Sequence, residues 1–112
     1  MKWTAIDDES DINRILEKSH TAPVIIFKHS TRCAISAMAK SRLDKQNAPE
    51  GIDFYYLDLL KHRDISNRIA SRFEVKHESP QILCIHNEQC VYHENHNGID
   101  MQDIIEAISS LQ

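Results

Sequence analysis

Hydrophobic residues follow two different spacings along this 112-residue chain, and polar segments separate the stretches. Apolar residues three or four positions apart predict helices over 8–19, 34–45, 64–73 and 99–111. Short runs rich in β-branched and aromatic residues predict strands over 24–27, 52–57, 81–86 and 89–93. Asn87 and Glu88 supply the turn of a hairpin between the last two strands. The predicted order is therefore α-β-α-β-α-β-β-α.

This order predicts an α/β protein with a mixed central sheet. The strand at 24–27 is apolar on both faces, which is typical of a central strand covered from two sides. Strand–helix–strand units require right-handed crossovers and parallel pairing, whereas the late hairpin adds antiparallel strands. We therefore expect helices on both faces of a mixed sheet. The length suits one core, so residues 1–112 are predicted to form a single domain.

Composition and charge limit the cellular compartments and the classes of partner that are expected for this chain. Hydrophobic residues make up 41% of the chain and charged residues 27%, which excludes a disordered or membrane-embedded protein. The N-terminus turns acidic at once and lacks the apolar segment of a signal peptide, which favours a cytoplasmic protein. A net charge of −4 argues against nucleic acid as the main partner. We expect neither a membrane nor a nucleic-acid partner.

Cys33 is the candidate nucleophile. It follows the apolar strand and a polar corner at 28–32, and it precedes the second predicted helix. Its sulfur would lie in the first turn of that helix, where unpaired N–H groups and the helix dipole favour a negative charge. Such placement lowers the pKa of a cysteine, and the thiolate is the reactive form. The alternative for Cys33 is a small buried hydrophobic residue.

Ser36 completes a Cys-x-x-Ser motif with Cys33. It could donate a hydrogen bond to the thiolate, or it could be an ordinary serine of a first helical turn. A serine oxygen cannot close a disulfide, so the chemistry would be monothiol unless another cysteine resolves it. Cys84, inside a strand, is expected to pack in the core. Cys90, on the returning strand, is expected to be structural or incidental.

A metal site is not expected. Cys90 and His93 would point to opposite sides of a strand, and the cysteine spacings match no zinc finger.

Four stretches carry a resemblance to a known family: residues 27–36, 55–58, 63–67 and 75–81, the last containing Lys-His-Glu-Ser-Pro. With a cysteine after a strand and a Ser-Pro before a hairpin, nearly the whole chain resembles the thioredoxin fold. Within that fold it is similar to the bacilliredoxins of YtxJ type, monothiol proteins of bacteria that use bacillithiol. Family members tend to have Cys-Pro-Ile-Ser, whereas this chain has Ala34. The missing proline is expected to leave the fold intact and to alter thiol reactivity.

The resemblance implies thiol–disulfide exchange. Cys33 would attack a bacillithiol mixed disulfide on a client protein and take over the bacillithiol cap, and a second thiol would regenerate it. No bound cofactor is implied, because bacillithiol acts as a thiol co-substrate. The implied partners are bacillithiolated client proteins and a low-molecular-weight thiol.

The resemblance also implies substrate-binding residues. Pro80 would be cis beside the nucleophile, and the backbone of Ser79 would pair with the incoming chain; the alternative is a simple proline at a strand start. Arg32 would suit the carboxylates of bacillithiol, because a guanidinium binds carboxylates with two bonds. The expected cationic rim consists of Lys28, His29, Arg32, Lys76 and His77.

Two alternative functions stay open at this point. One is a dithiol-type reductase that resolves through Cys84 or Cys90. The other is a non-catalytic thioredoxin-like binding module, in which Cys33 is reactive without turnover.

Overall fold

The computed structural model describes residues 1–111, and all four predicted helices and all four predicted strands are present. No helix in that range has the length and apolar character needed to cross a bilayer. The elements are β1 (Trp3–Ala5), α1 (Glu9–Lys18), β2 (Val24–His29), α2 (Ala34–Asp44), β3 (Asp53–Asp58), α3 (Arg63–Phe73), β4 (Gln81–His86), β5 (Gln89–Asn95) and α4 (Met101–Ser109).

The strands form one sheet in the order β1-β3-β2-β4-β5, and the predicted mixed sheet is confirmed. β3 runs parallel to β1 and β2, while β4 runs antiparallel to β2 and β5. Buried side chains of α1 and α3 share one hydrophobic core on one face. Those of α2 and α4 share a second core on the other face. The helices therefore cover both faces, and β2 lies at the centre.

The predicted element order is wrong at its start, because it lacks β1. Three residues cannot show a recognisable period, so this strand depends on tertiary contacts. Trp3 pairs in register with Phe54, and its ring meets the ring of Phe54 at a centroid distance of 5.8 Å. Its indole N–H also donates to the Asp44 carboxylate at 2.7 Å. These contacts hold β1 at the edge of the sheet.

β2 is longer than predicted, and this correction concerns the site. Lys28 and His29 were expected in a polar corner, yet both are buried strand residues. Lys28 lies between Leu57 of β3 and Gln81 of β4, so the sheet continues on both sides of it. The residue types gave no sign of this burial, because a polar side chain can be buried only where it has polar partners, and those partners depend on the tertiary structure.

The α2 helix buries only part of its apolar residues. Ile35 and Met38 are 44% and 59% exposed. Ser36 takes the buried position instead, together with Ala39 and Leu43. The first turn of α2 therefore presents apolar side chains to solvent close to Cys33.

Candidate functional site

Cys33 is the N-cap residue of α2 and is partly exposed. Its backbone is extended, with φ −104° and ψ 119°. Its N–H donates to the Ser30 carbonyl at 3.2 Å, and its carbonyl accepts the first helical hydrogen bond from Ala37 at 3.0 Å. Cys33 thus lies at the amino end of a helix, an end at which unpaired N–H groups favour negative charge, and its side chain makes no capping hydrogen bond. This is the position predicted for the nucleophile.

Ser36 is fully buried and has partners other than Cys33. The Ser30 N–H donates to Ser36 Oγ at 3.0 Å, and Oγ lies 2.6 Å from His29 Nδ1. Within residues 1–111, the hydroxyl makes no hydrogen bond to the Cys33 sulfur, which the sequence had left as one of two possibilities. Ser36 therefore ties the end of β2 and the following loop to α2, and so positions Cys33.

His29 does not belong to the exposed cationic rim in which it was expected. It is 6% exposed, and its ring lies 5.6 Å from the ring of Phe27 and 5.5 Å from that of Tyr56. Burial and, to a smaller extent, Lys40 lower the pKa of His29 below its usual value. The ring is therefore neutral near pH 7, and its Nδ1 can accept a hydrogen bond from the Ser36 hydroxyl.

Replacing Ser36 with alanine is expected to lower the free energy of unfolding by about 1–2 kcal/mol, because the Ser30 N–H and His29 Nδ1 would lose a buried partner. Urea unfolding measures the change. Ser41→Ala is the matched control, since Ser41 is an exposed serine of the same helix. Equal stabilities of the two variants would contradict this role of Ser36.

The loop before β4 lies at the same edge of the sheet. The Ser79–Pro80 peptide bond is cis, as the resemblance implies. β4 runs antiparallel to β2 with Gln81 opposite Lys28, so Pro80 lies level with the end of β2. The buried Gln81 amide donates to the Lys76 carbonyl at 3.0 Å and fixes the loop. Cys33 and the Ser79–Pro80 bond thus occupy one edge.

Several exposed cations lie at this end of the sheet, where β2 and β3 finish. Arg32, Lys61, Arg63 and Lys76 are exposed, and none makes an ion pair within residues 1–111. Lys61 and Arg63 were missed by the sequence analysis because they follow β3 rather than β2. The predicted parallel pairing of β2 and β3 could have indicated both residues, since neighbouring parallel strands bring the loops after their carboxyl ends together.

The other two cysteines lie away from Cys33. Cys84 is fully buried beside Ile25, and burial raises its pKa to about 12. Cys90 lies level with Val24 at the opposite end of β2, and burial raises its pKa as well. The rise of about 3.3 Å per strand residue puts both thiols well over 10 Å from Cys33, far beyond the reach of a disulfide. The core packing predicted for Cys84 is confirmed.

Replacing Ala34 with proline is expected to preserve the fold and raise the free energy of unfolding by about 0.4–1 kcal/mol. Ala34 is the first residue of α2, where proline is favoured, and Cys33 already has the extended backbone that precedes a proline. Urea unfolding tests this against Ala37→Pro, which should cost about 3 kcal/mol because the Ala37 N–H bonds to Cys33. A loss of stability in Ala34→Pro would contradict the observed loop geometry.

A partly exposed cysteine at a helix N-cap, at the same end of a mixed sheet as a cis-proline, is typical of the class of thioredoxin-fold thiol proteins. Solved structures agree with this fold. One is described as a candidate oxidoreductase with a thioredoxin fold; it has a TM-score of 0.83 and 30% identity over 94% of this chain and 92% of its own. Thioredoxin from Malassezia sympodialis gives 0.72 at 15% identity over 98% and 90%. Thioredoxin f from spinach chloroplast gives 0.70 at 15% identity over 97% and 92%. The predicted thioredoxin-like fold is confirmed.

The family follows from the sequence. The profile of the family described as monothiol bacilliredoxin BrxC matches residues 4–104. The chain therefore belongs to the monothiol bacilliredoxin family, as its resemblance indicated, and its role is in thiol redox chemistry.

Proposed function

We propose that this protein is a monothiol oxidoreductase that removes bacillithiol from protein cysteines, with Cys33 as the nucleophile. The observation that carries the proposal is one partly exposed thiol at the N-cap of α2, with the buried Cys84 and the partly exposed Cys90 both too far away to form a disulfide with it. Membership of the bacilliredoxin family supports bacillithiol as the thiol concerned.

The reaction uses two exchanges. The Cys33 thiolate attacks the bacillithiol sulfur of a client mixed disulfide; the new S–S bond forms as the old one breaks, and the client leaves as a thiolate that takes a proton from water. A second low-molecular-weight thiol then attacks the bacillithiol sulfur held on Cys33, which releases a small disulfide and frees Cys33. Ser36 cannot perform that second attack, because its oxygen cannot replace a sulfur.

The surroundings of Cys33 support client binding. The backbone of Ser79 lies two residues before the start of β4, where an extended client segment can pair with it. Ile35 and Met38 give an exposed apolar surface on the first turns of α2. A client could therefore pair with the backbone of Ser79 and also contact the apolar side chains of Ile35 and Met38.

Arg32 supports an anionic cap. It precedes Cys33 directly, is exposed, and makes no ion pair within the described residues. Bacillithiol carries carboxylates on its malyl group, and a guanidinium binds a carboxylate through two parallel hydrogen bonds. We therefore assign Arg32 to the cap rather than to the fold.

The test uses one protein with a single cysteine capped by bacillithiol, glutathione or coenzyme A, and measures the rate of cap release. Bacillithiol is expected to leave fastest, and Arg32→Ala to slow its release about tenfold. Lys45→Ala, an exposed cation at the far end of α2, is the control with unchanged rates. Equal rates for all three caps would contradict the assigned thiol, and tight binding without release would indicate a binding module.

A further inference from the structure

Lys28 is a fully buried cation, and no carboxylate lies within bonding distance of it among residues 1–111. Its ammonium donates to the Ser66 carbonyl at 3.1 Å, and it lies 3.3 Å from His77 Nδ1. Burial lowers the pKa of Lys28 to about 8, so the ammonium still prevails at pH 7. Burying a charge is costly, and here its partners are neutral groups. The reaction proposed above gives Lys28 no role.

The contact with Lys28 fixes which ring nitrogen of His77 carries the proton. An ammonium has only donors, so His77 Nδ1 must accept, and the ring proton lies on Nε2. Ser66 Oγ lies 3.3 Å from the same Nδ1 and provides a second donor. Burial and Lys28 lower the pKa of His77, so the ring is neutral at pH 7. Because His77 is exposed overall, its Nε2–H is available to a ligand.

This N–H group lies among cations at the edge that carries Cys33. Arg63 at the start of α3 lies one helical turn before Ser66, whose Oγ is 3.3 Å from His77 Nδ1, so Arg63 is on the side of α3 that meets His77. It is exposed and makes no ion pair in the described chain. The neighbouring carboxylate of Glu78 lies 3.5 Å from His96 Nε2. The site therefore combines the oriented N–H donor of His77, the unpaired guanidinium of Arg63 and, behind them, the buried ammonium of Lys28. Such a combination is suited to binding an anion.

We propose that His77 Nε2–H and Arg63 bind a carboxylate of the low-molecular-weight thiol that exchanges on Cys33, and that Lys28 is the positioning residue that holds His77 in the required tautomer. This rests on the proposed function, because it assumes that Cys33 is the exchanging thiol. It changes the part that Lys28 plays in the expected cationic rim: Lys28 acts from behind His77 rather than on the surface. A cap with two carboxylates would use Arg32 for the second.

The test compares two small disulfides in their reaction with Cys33: dithiodipropionate, which carries carboxylates, and 2-hydroxyethyl disulfide, which is neutral. The ratio of the two rates, followed by intact mass, removes effects common to both probes. His77→Asn and Arg63→Ala should each lower the ratio about three- to tenfold. His77→Gln should retain it, because the longer amide places an N–H group near the position of Nε2. Lys45→Ala should leave it unchanged.

A nitrogen NMR spectrum of the wild-type protein reports the tautomer of His77 directly, independently of the exchange rates. We expect the Nε2–H tautomer for His77, and a shift towards the Nδ1–H tautomer in Lys28→Met. An Nδ1–H tautomer in the wild type overturns the proposal whether or not the variant folds. An unchanged rate ratio in both His77→Asn and Arg63→Ala overturns the anion site alone, whereas a wild-type Cys33 that exchanges with neither probe overturns the proposed function as well.

Discussion

Replacing Cys33 with serine is expected to reduce thiol–disulfide exchange by roughly a thousandfold or more, to the uncatalysed level. The physical reason is that no other thiol can substitute. Cys84 is fully buried with its pKa raised to about 12, and burial also raises the pKa of Cys90. Release of thiol from an aromatic disulfide, measured on the folded protein, quantifies the loss.

Cys90→Ser is the matched control for this experiment. Cys90 is partly exposed on β5, at the end of the sheet away from Cys33, and its loss should leave the exchange rate unchanged. If Cys33→Ser retained a tenth of the wild-type rate, or if Cys90→Ser lost most of it, the assignment of a single nucleophile would be wrong.

Replacing Ser36 with cysteine is expected to turn the monothiol site into a dithiol site. Residues three apart on a helix lie about 5–6 Å from each other, within the range of a disulfide. The new thiolate would attack the Cys33 sulfur of a mixed disulfide and expel the cap as a free thiol, which leaves an internal disulfide. Intact mass should show the oxidised variant two hydrogens lighter and without a bound cap.

Ser41→Cys provides the comparison. Ser41 is exposed on the same helix, eight residues after Cys33 and about 12 Å further along the axis, so its thiol cannot reach the mixed disulfide. This variant should accumulate the cap on Cys33 as the wild type does. Persistence of the capped form in Ser36→Cys would show that the buried position of Ser36 is closed to this attack.

The spacing of apolar residues along the chain was sufficient to predict most of the fold. Apolar spacing predicted the four helices and the last four strands because each of them buries a face against a core. The start of α2 at Ala34, and with it the position of Cys33, followed from the change of spacing there, whereas the end of β2 did not. β1 did not follow, since its three residues are held by Trp3 and the pairing with β3.

The supporting polar contacts could not be predicted, because they depend on strand order. Lys28 and His29 look like surface residues until β3 and β4 are placed on either side of them. Arg63 joins the site only because β3 lies beside β2, and the partners of Ser36 are set by the direction in which α2 leaves the sheet. Sequence therefore located Cys33 at the start of α2, and tertiary structure located the groups around it.

Monothiol exchange at Cys33 is tested most directly by intact mass spectrometry after reduced protein is mixed with an equal amount of a bacillithiolated test protein. The cap is expected to leave the test protein and to appear on the peptide that contains Cys33, with no internal disulfide. A cap that stays on the test protein, or an internal disulfide in the wild-type chain, would contradict it.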